Sequence, residues 1–196
     1  MNDNDIIEQF FEQVKEYVIL SAGAKGDWAS LLKLRVYEKG DYFIRLGQIP
    51  RKTAYVARGL FSQYYIDEAG NYVIKNFFPE GRLAGSVPAT LTGKESPFAI
   101  EALEKATVLE FDFLKFKKLV RKHPCIADAY IQYMEKYWVI EKEPDEISFR
   151  NDTAAARYRD FLIKYPRLVK RLKKHHIASY LGITPTQLSR ILFANK

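Results

Sequence analysis

Seven glycines, at 40, 47, 59, 70, 81, 85 and 93, cut the stretch from Leu34 onward into short aromatic and β-branched runs. Glycine weakens a helix interior and supplies the positive φ of tight turns, so this spacing excludes long helices and predicts antiparallel strands joined by turns. The clearest hairpin is LFSQYYI (60–66), the turn DEAGN (67–71), then YVIKNFF (72–78). A second pair is expected at 98–103 and 107–113, with Glu104 and Lys105 between them. About eight short strands in roughly 80 residues point to a barrel, roll or sandwich.

Helical periodicity brackets this β region. Ile6, Phe10, Val14 and Val18 recur every four residues, predicting an amphipathic helix over 6–20. Beyond Phe113, Ile126, Tyr130, Tyr133, Tyr137 and Ile140 repeat at spacings of 4, 3, 4 and 3, an a/d seam that suits self-association of a linking helix, or packing on its own β domain. Pro144 occupies the next seam position and should kink or end that helix near Glu143. Thr153 can cap a further helix that must stop before Pro166. The expected organisation is α+β: a β domain with an N-terminal helix over 1–118, a long linking helix and hinge over 119–148, and a C-terminal module over 149–196.

Charge separates these parts. The last 46 residues hold ten Lys+Arg against two acids, a net +8, while the first 150 carry −1. A basic module beside a near-neutral one is the footprint of phosphate neutralisation. One cysteine, Cys125, excludes a disulfide framework and a four-cysteine metal site, and favours a reducing cytoplasm. The start MNDNDIIEQFFEQVKEYV lacks the basic segment and continuous apolar run of an export signal, and no run reaches the roughly 20 apolar residues of a membrane span. Three histidines, His123, His175 and His176, are too few and too poorly placed for most metal or acid–base constellations, so no metal and no enzymatic activity are expected. The β region from 34 to 113 contains no histidine, which removes a cupin-like metalloenzyme from consideration.

The most specific segment is HHIASYLGITPTQLSRILF (175–193). Ile177, Ala178 and Leu181 share one helical face, Gly182 permits a sharp turn, Thr184 suits an N-cap and Pro185 the first helical turn. A second helix then buries Leu188, Ile191 and Leu192 and leaves Thr186, Gln187, Ser189 and Arg190 outward. That is the spacing of a helix-turn-helix. Arg190 can present two parallel donors to a guanine edge, and Thr184, Thr186, Gln187 and Ser189 can reach bases or phosphates. Lys170, Arg171, Lys173, Lys174, His175 and His176 would lie near the DNA backbone.

The order of parts resembles the Crp/Fnr superfamily of bacterial transcription regulators over nearly the whole chain. RYRDFLIKYP with IASYLGITPTQLSRI is similar to the branch common in Bacteroidetes, and YEKGDYFIRLG (37–47) resembles the family's opening β-roll motif. The resemblance implies a cyclic-nucleotide-binding-type jelly roll, a homodimer meeting along Ile126, Tyr130, Tyr133, Tyr137 and Ile140, and a winged-helix-like C-terminal domain with a short or degenerate wing. It also implies near-palindromic double-stranded DNA as partner, with RNA polymerase as a further one. Relatives that bind cyclic AMP carry a Glu for the ribose and, ten residues on, an Arg for the phosphate. Here Gly85 is kept but Ser86 and Ser96 stand at those positions, and Arg82 and Lys94 do not match either. A buried phosphodiester without a cation is costly, so cyclic AMP is not expected. An apolar effector, with Phe77, Phe78 and Phe98 as lining, or no effector at all, remains open. The rival function is a ligand-sensing or protein-interaction module that binds no DNA.

Overall fold

The computed structural model describes residues 3–194; Lys196, counted in the C-terminal charge, lies outside them. Eight strands make two four-stranded antiparallel sheets. One is ordered β1 (Lys33–Tyr37), β8 (Ala106–Asp112), β3 (Lys52–Arg58), β6 (Leu83–Ala84), and the other β2 (Tyr42–Ile44), β7 (Ala99–Ala102), β4 (Phe61–Ile66), β5 (Tyr72–Phe78). The predicted hairpin is β4–β5, in register from Phe61 opposite Phe78 to Ile66 opposite Tyr72 with a slip at Gln63/Tyr64. Asp67 orders its turn by accepting from the Ala69 and Asn71 N–H groups, and Gly70 takes φ +81°. Phe43, Ile44, Val56, Phe61, Phe78, Ile100 and Val108 fill the space between the sheets. Apolar burial of this kind, at about 25 cal/mol per Å², is what holds the jelly roll closed.

Among the described residues, ten helical segments surround the roll. The N-terminal helix, α1 (Asp3–Val14), stops earlier than the periodicity predicts. Ser21 then caps a separate α2 (Ala22–Ala29), and Phe10, Phe11 and Trp28 pack edge to face between these helices and β3. A short α3 (Val87–Thr92) follows β6 and ends on Gly93 at φ +67°. Beyond β8 come α4 (Phe113–Lys122) and α5 (Pro124–Met134), then a π-helical segment (Glu135–Ile140) and α6 (Lys142–Asn151). Pro144 falls in the first turn of α6, where a missing N–H costs little, so the break in periodicity belongs to the π segment just before it.

The C-terminal module is α7 (Ala154–Lys164), α8 (Lys174–Tyr180) and α9 (Pro185–Ala194). Thr153 caps α7 as expected, accepting from Ala156 N–H at 3.2 Å. No strand follows β8 among the described residues, so this module carries no wing there. It is docked against the outer face of β4 and β5. Leu60, Tyr64, Ile74 and Phe77 of the roll share one buried cluster with Phe161, Tyr165, Ile177 and Tyr180.

Candidate nucleic-acid interface and ligand cassette

The helix-turn-helix is built as its sequence spacing requires. Gly182 takes φ +67°, fully buried Ala178 lets the helices approach, and Leu188 is the completely buried anchor of α9. Thr184 and Gln187 form a reciprocal cap: Thr184 N–H donates to Gln187 Oε1 at 2.8 Å, and Gln187 N–H donates to Thr184 Oγ1 at 3.2 Å. The Gln187 side-chain oxygen is therefore engaged within the helix start, and its amide NH₂ is the group that faces outward. Thr184, Thr186, Gln187, Ser189 and Arg190 are all exposed, as are Lys173, Lys174 and His175.

Some basic residues that count toward the charge excess face inward instead, Arg171 and Lys164 among them. Arg171 reaches across to the roll, donating through Nη1 and Nη2 to Glu80 at 2.9 Å and also binding Glu104, so it locks the module to the roll and offers no free charge to a phosphate. Lys164 bonds Asp145 at 2.7 Å, within a half-buried group that includes Glu141 and Tyr165. A second tie runs through Ser179, which donates to the Tyr72 carbonyl at 2.6 Å and accepts from Ile74 N–H at 2.9 Å. These partners lie about a hundred residues away in sequence, and no local pattern announces them. His176 lies at the same junction, beside a cleft of about 850 Å³ lined by Tyr42, Tyr64, Tyr72, Glu101 and Gln187. Burial, reinforced by His175, Lys173 and Lys39, pulls the His176 pKa down to about 4, so the ring is neutral there.

The position expected to hold a ligand is closed by its own side chains. Ser86 and Ser96 are buried, and their hydroxyl oxygens are hydrogen-bonded to each other at 2.8 Å. Ser96 Oγ also lies 2.8 Å from the Phe98 carbonyl and accepts from Phe98 N–H. Gly85 packs on Thr53 and brings no charge. Arg82, four residues before Ser86, turns away: it binds Glu141 and stacks 3.8 Å over the Tyr137 ring. Lys94 is exposed. Phe98 is half-buried under Lys75, Phe77 packs outward against α7 and α8, and Phe78 belongs to the roll interior, so the three rings do not line one pocket.

The expected dimer seam requires correction. Ile126 is fully buried in the chain's own core, Tyr130 packs on Phe113 and Phe116, and the Tyr133 hydroxyl accepts from Leu83 N–H at 2.8 Å. Tyr137 lies against Arg82 and the Tyr17 hydroxyl. These four residues hold the helix on its own roll. Ile140 is 70% exposed, because the π segment changes the turn angle and throws it off their face. The apolar positions that are left outward are offset by one residue: Ile131 and Val139 are exposed, and Met134 and Trp138 half-exposed.

Residues 34–123 match the cyclic nucleotide-binding domain family. No curated protein sequence matches the chain. Among solved structures, FixK2 from Bradyrhizobium japonicum superposes with a TM-score of 0.70 at 18% identity, over 84% of each chain. CLP from Xanthomonas campestris, a c-di-GMP responsive global regulator, gives 0.68 at 14% identity, over 89% of this chain and 91% of its own. The catabolite activator protein of Thermus thermophilus gives 0.53 at 21% identity, over 89% and 83%. The chain shares the fold of these three proteins. No helix among the described residues is long and apolar enough to cross a membrane.

Proposed function

We propose that this chain is a DNA-binding transcription regulator that acts as a homodimer and is not switched by cyclic AMP. The observation that carries the reading is the solvent-facing row Thr186, Ser189 and Arg190 on a correctly capped second helix, flanked by exposed Lys173 and Lys174. Polar side chains without internal partners, beside free cations, suit base edges and phosphates. The neutral, self-satisfied Ser86–Ser96 pair supports independence from cyclic nucleotides, since it lacks the cation a buried phosphate needs. Dimerisation is assigned to the outer stripe Ile131, Met134 and Trp138, whose spacing of three and four keeps it on one helical face.

Selection of duplexes from a random pool, followed by titration at several salt concentrations, tests the reading. Specific enrichment with log K falling by about 0.9 per phosphate contact is expected. A chain that enriches no duplex at low salt is instead a sensing or protein-interaction module. In sedimentation, Ile131→Asp with Trp138→Asp should yield a monomer, whereas Tyr133→Phe should leave the dimer intact.

A further inference from the structure

The carbonyl of Leu181 ends α8, and a continuing helix would satisfy it with the N–H four residues on. That residue is Pro185, which has none. Arg157, on α7, fills the gap: its Nε and Nη2 both donate to the Leu181 oxygen, at 3.3 and 3.2 Å, while Nη1 donates to the Asp152 carbonyl at the end of α6, at 2.7 Å. The guanidinium stacks 5.4 Å over the Phe149 ring, and the same ring borders the turn, 3.9 Å from where a Cβ on Gly182 would stand.

We infer that Arg157 is the positioning residue of the DNA-reading unit, setting the angle of α9 through the turn rather than meeting phosphate. The inference rests on the DNA-reading function proposed above. One planar group ties the ends of α6 and α8 to α7, and the carbonyl it holds belongs to the residue immediately before the left-handed turn at Gly182. A helix C-terminus carries partial negative charge, which favours a cation there. Only a rigid fork with donors on two sides reaches both carbonyls at once. Lysine keeps the charge but is a single point on a flexible stem.

Arg157→Lys separates charge from geometry. The ratio of affinities for a selected duplex and its scrambled counterpart should fall about tenfold, because α9 no longer meets base edges at a fixed angle. Affinity for the scrambled duplex and the salt slope should stay unchanged, since no phosphate contact is lost. In the free variant, the Gly182 and Ile183 amides should exchange with solvent about tenfold faster. An unchanged ratio overturns the inference, and so does an Arg157→Gln variant whose salt slope falls by about 0.9 with the ratio preserved, which makes Arg157 a phosphate contact. If the lysine variant fails to fold, Phe149→Leu replaces it: the donors remain but their platform is gone, and a two- to fourfold lower ratio is expected, with no change counting against the role. A wild-type chain that discriminates between no duplexes overturns the DNA reading itself, which is distinct from a wild type and a variant that discriminate equally well.

Discussion

The Ser86–Ser96 pair in the roll and the outer face of α9 both carry polar side chains, yet they are finished in opposite ways. In the cassette, Ser86 and Ser96 satisfy each other inside the roll. On α9, Thr186, Ser189 and Arg190 stand in water, and the internal bonding stops at the Thr184–Gln187 cap. A buried polar group must have a partner within the molecule, whereas an exposed one is free to find a partner outside it. The difference teaches that the Ser86–Ser96 pair belongs to the core, while the polar face of α9 keeps its bonding capacity for solvent or a partner.

The largest expected effect strikes what the open region stands on. Leu188→Ala removes the fully buried anchor of α9 and should cost about 2–5 kcal/mol in chemical denaturation, with DNA binding lost in parallel. Loss of DNA binding at unchanged stability would mean that α9 is seated by something other than this side chain. The closed region should respond to a far smaller change. Ser96→Ala leaves the Ser86 hydroxyl buried without its partner and should cost about 1–3 kcal/mol. Calorimetry with cyclic AMP or cyclic GMP on the unmodified chain should show no saturable binding at sub-millimolar concentration; tight binding would reopen the cassette and break the contrast.

On the open side, Arg190→Ala should lower discrimination between selected and mutated sites by about 1–3 kcal/mol, without altering stability. Lys173→Ala should weaken all duplexes alike and reduce the salt slope by about 0.9. A uniform loss from Arg190→Ala would demote it to a backbone contact.

What could be read in the sequence was local. The β4–β5 hairpin, the Thr153 cap and the turn at Gly182 each depend on neighbours within a few residues, and each lies where its turn chemistry places it. The α2 helix has no signature in sequence, because AGAKGDWA contains two glycines and no apolar periodicity; its anchor is Trp28 against Phe10. The seam at 126–140 was visible as a stripe, but periodicity cannot say which surface a stripe meets. Tyr133 chose the Leu83 N–H, fifty residues earlier, and the π segment then broke the phase. The ties through Arg171 and Arg157 were hidden for the same reason. In composition they were simply basic residues, and only the fold shows that Glu80, Glu104 and the Leu181 carbonyl already hold them.

The smallest expected effect falls on the boundary between the two regions, at His176. Its pKa is depressed in the folded chain to about 4, first by burial and then by His175, Lys173 and Lys39, whereas the unfolded chain titrates near the ordinary histidine value. Between these two values the unfolded state binds a proton that the folded state refuses. The contribution of His176 is therefore complete above about pH 6.5 and is lost as the pH falls toward 4. Because the ring is only half-buried, solvent screening reduces the effect to on the order of 1 kcal/mol. Denaturation of wild type and His176→Asn at pH 7.5 and pH 4.5 isolates it from the carboxylates, which titrate in both proteins. Wild type should lose more stability than the variant over that interval. Equal losses would mean that His176 accepts its proton without disturbing the packing of α8 on β5, and that the junction is held by Arg171, Ser179 and the apolar cluster around Phe77 and Tyr180 without it.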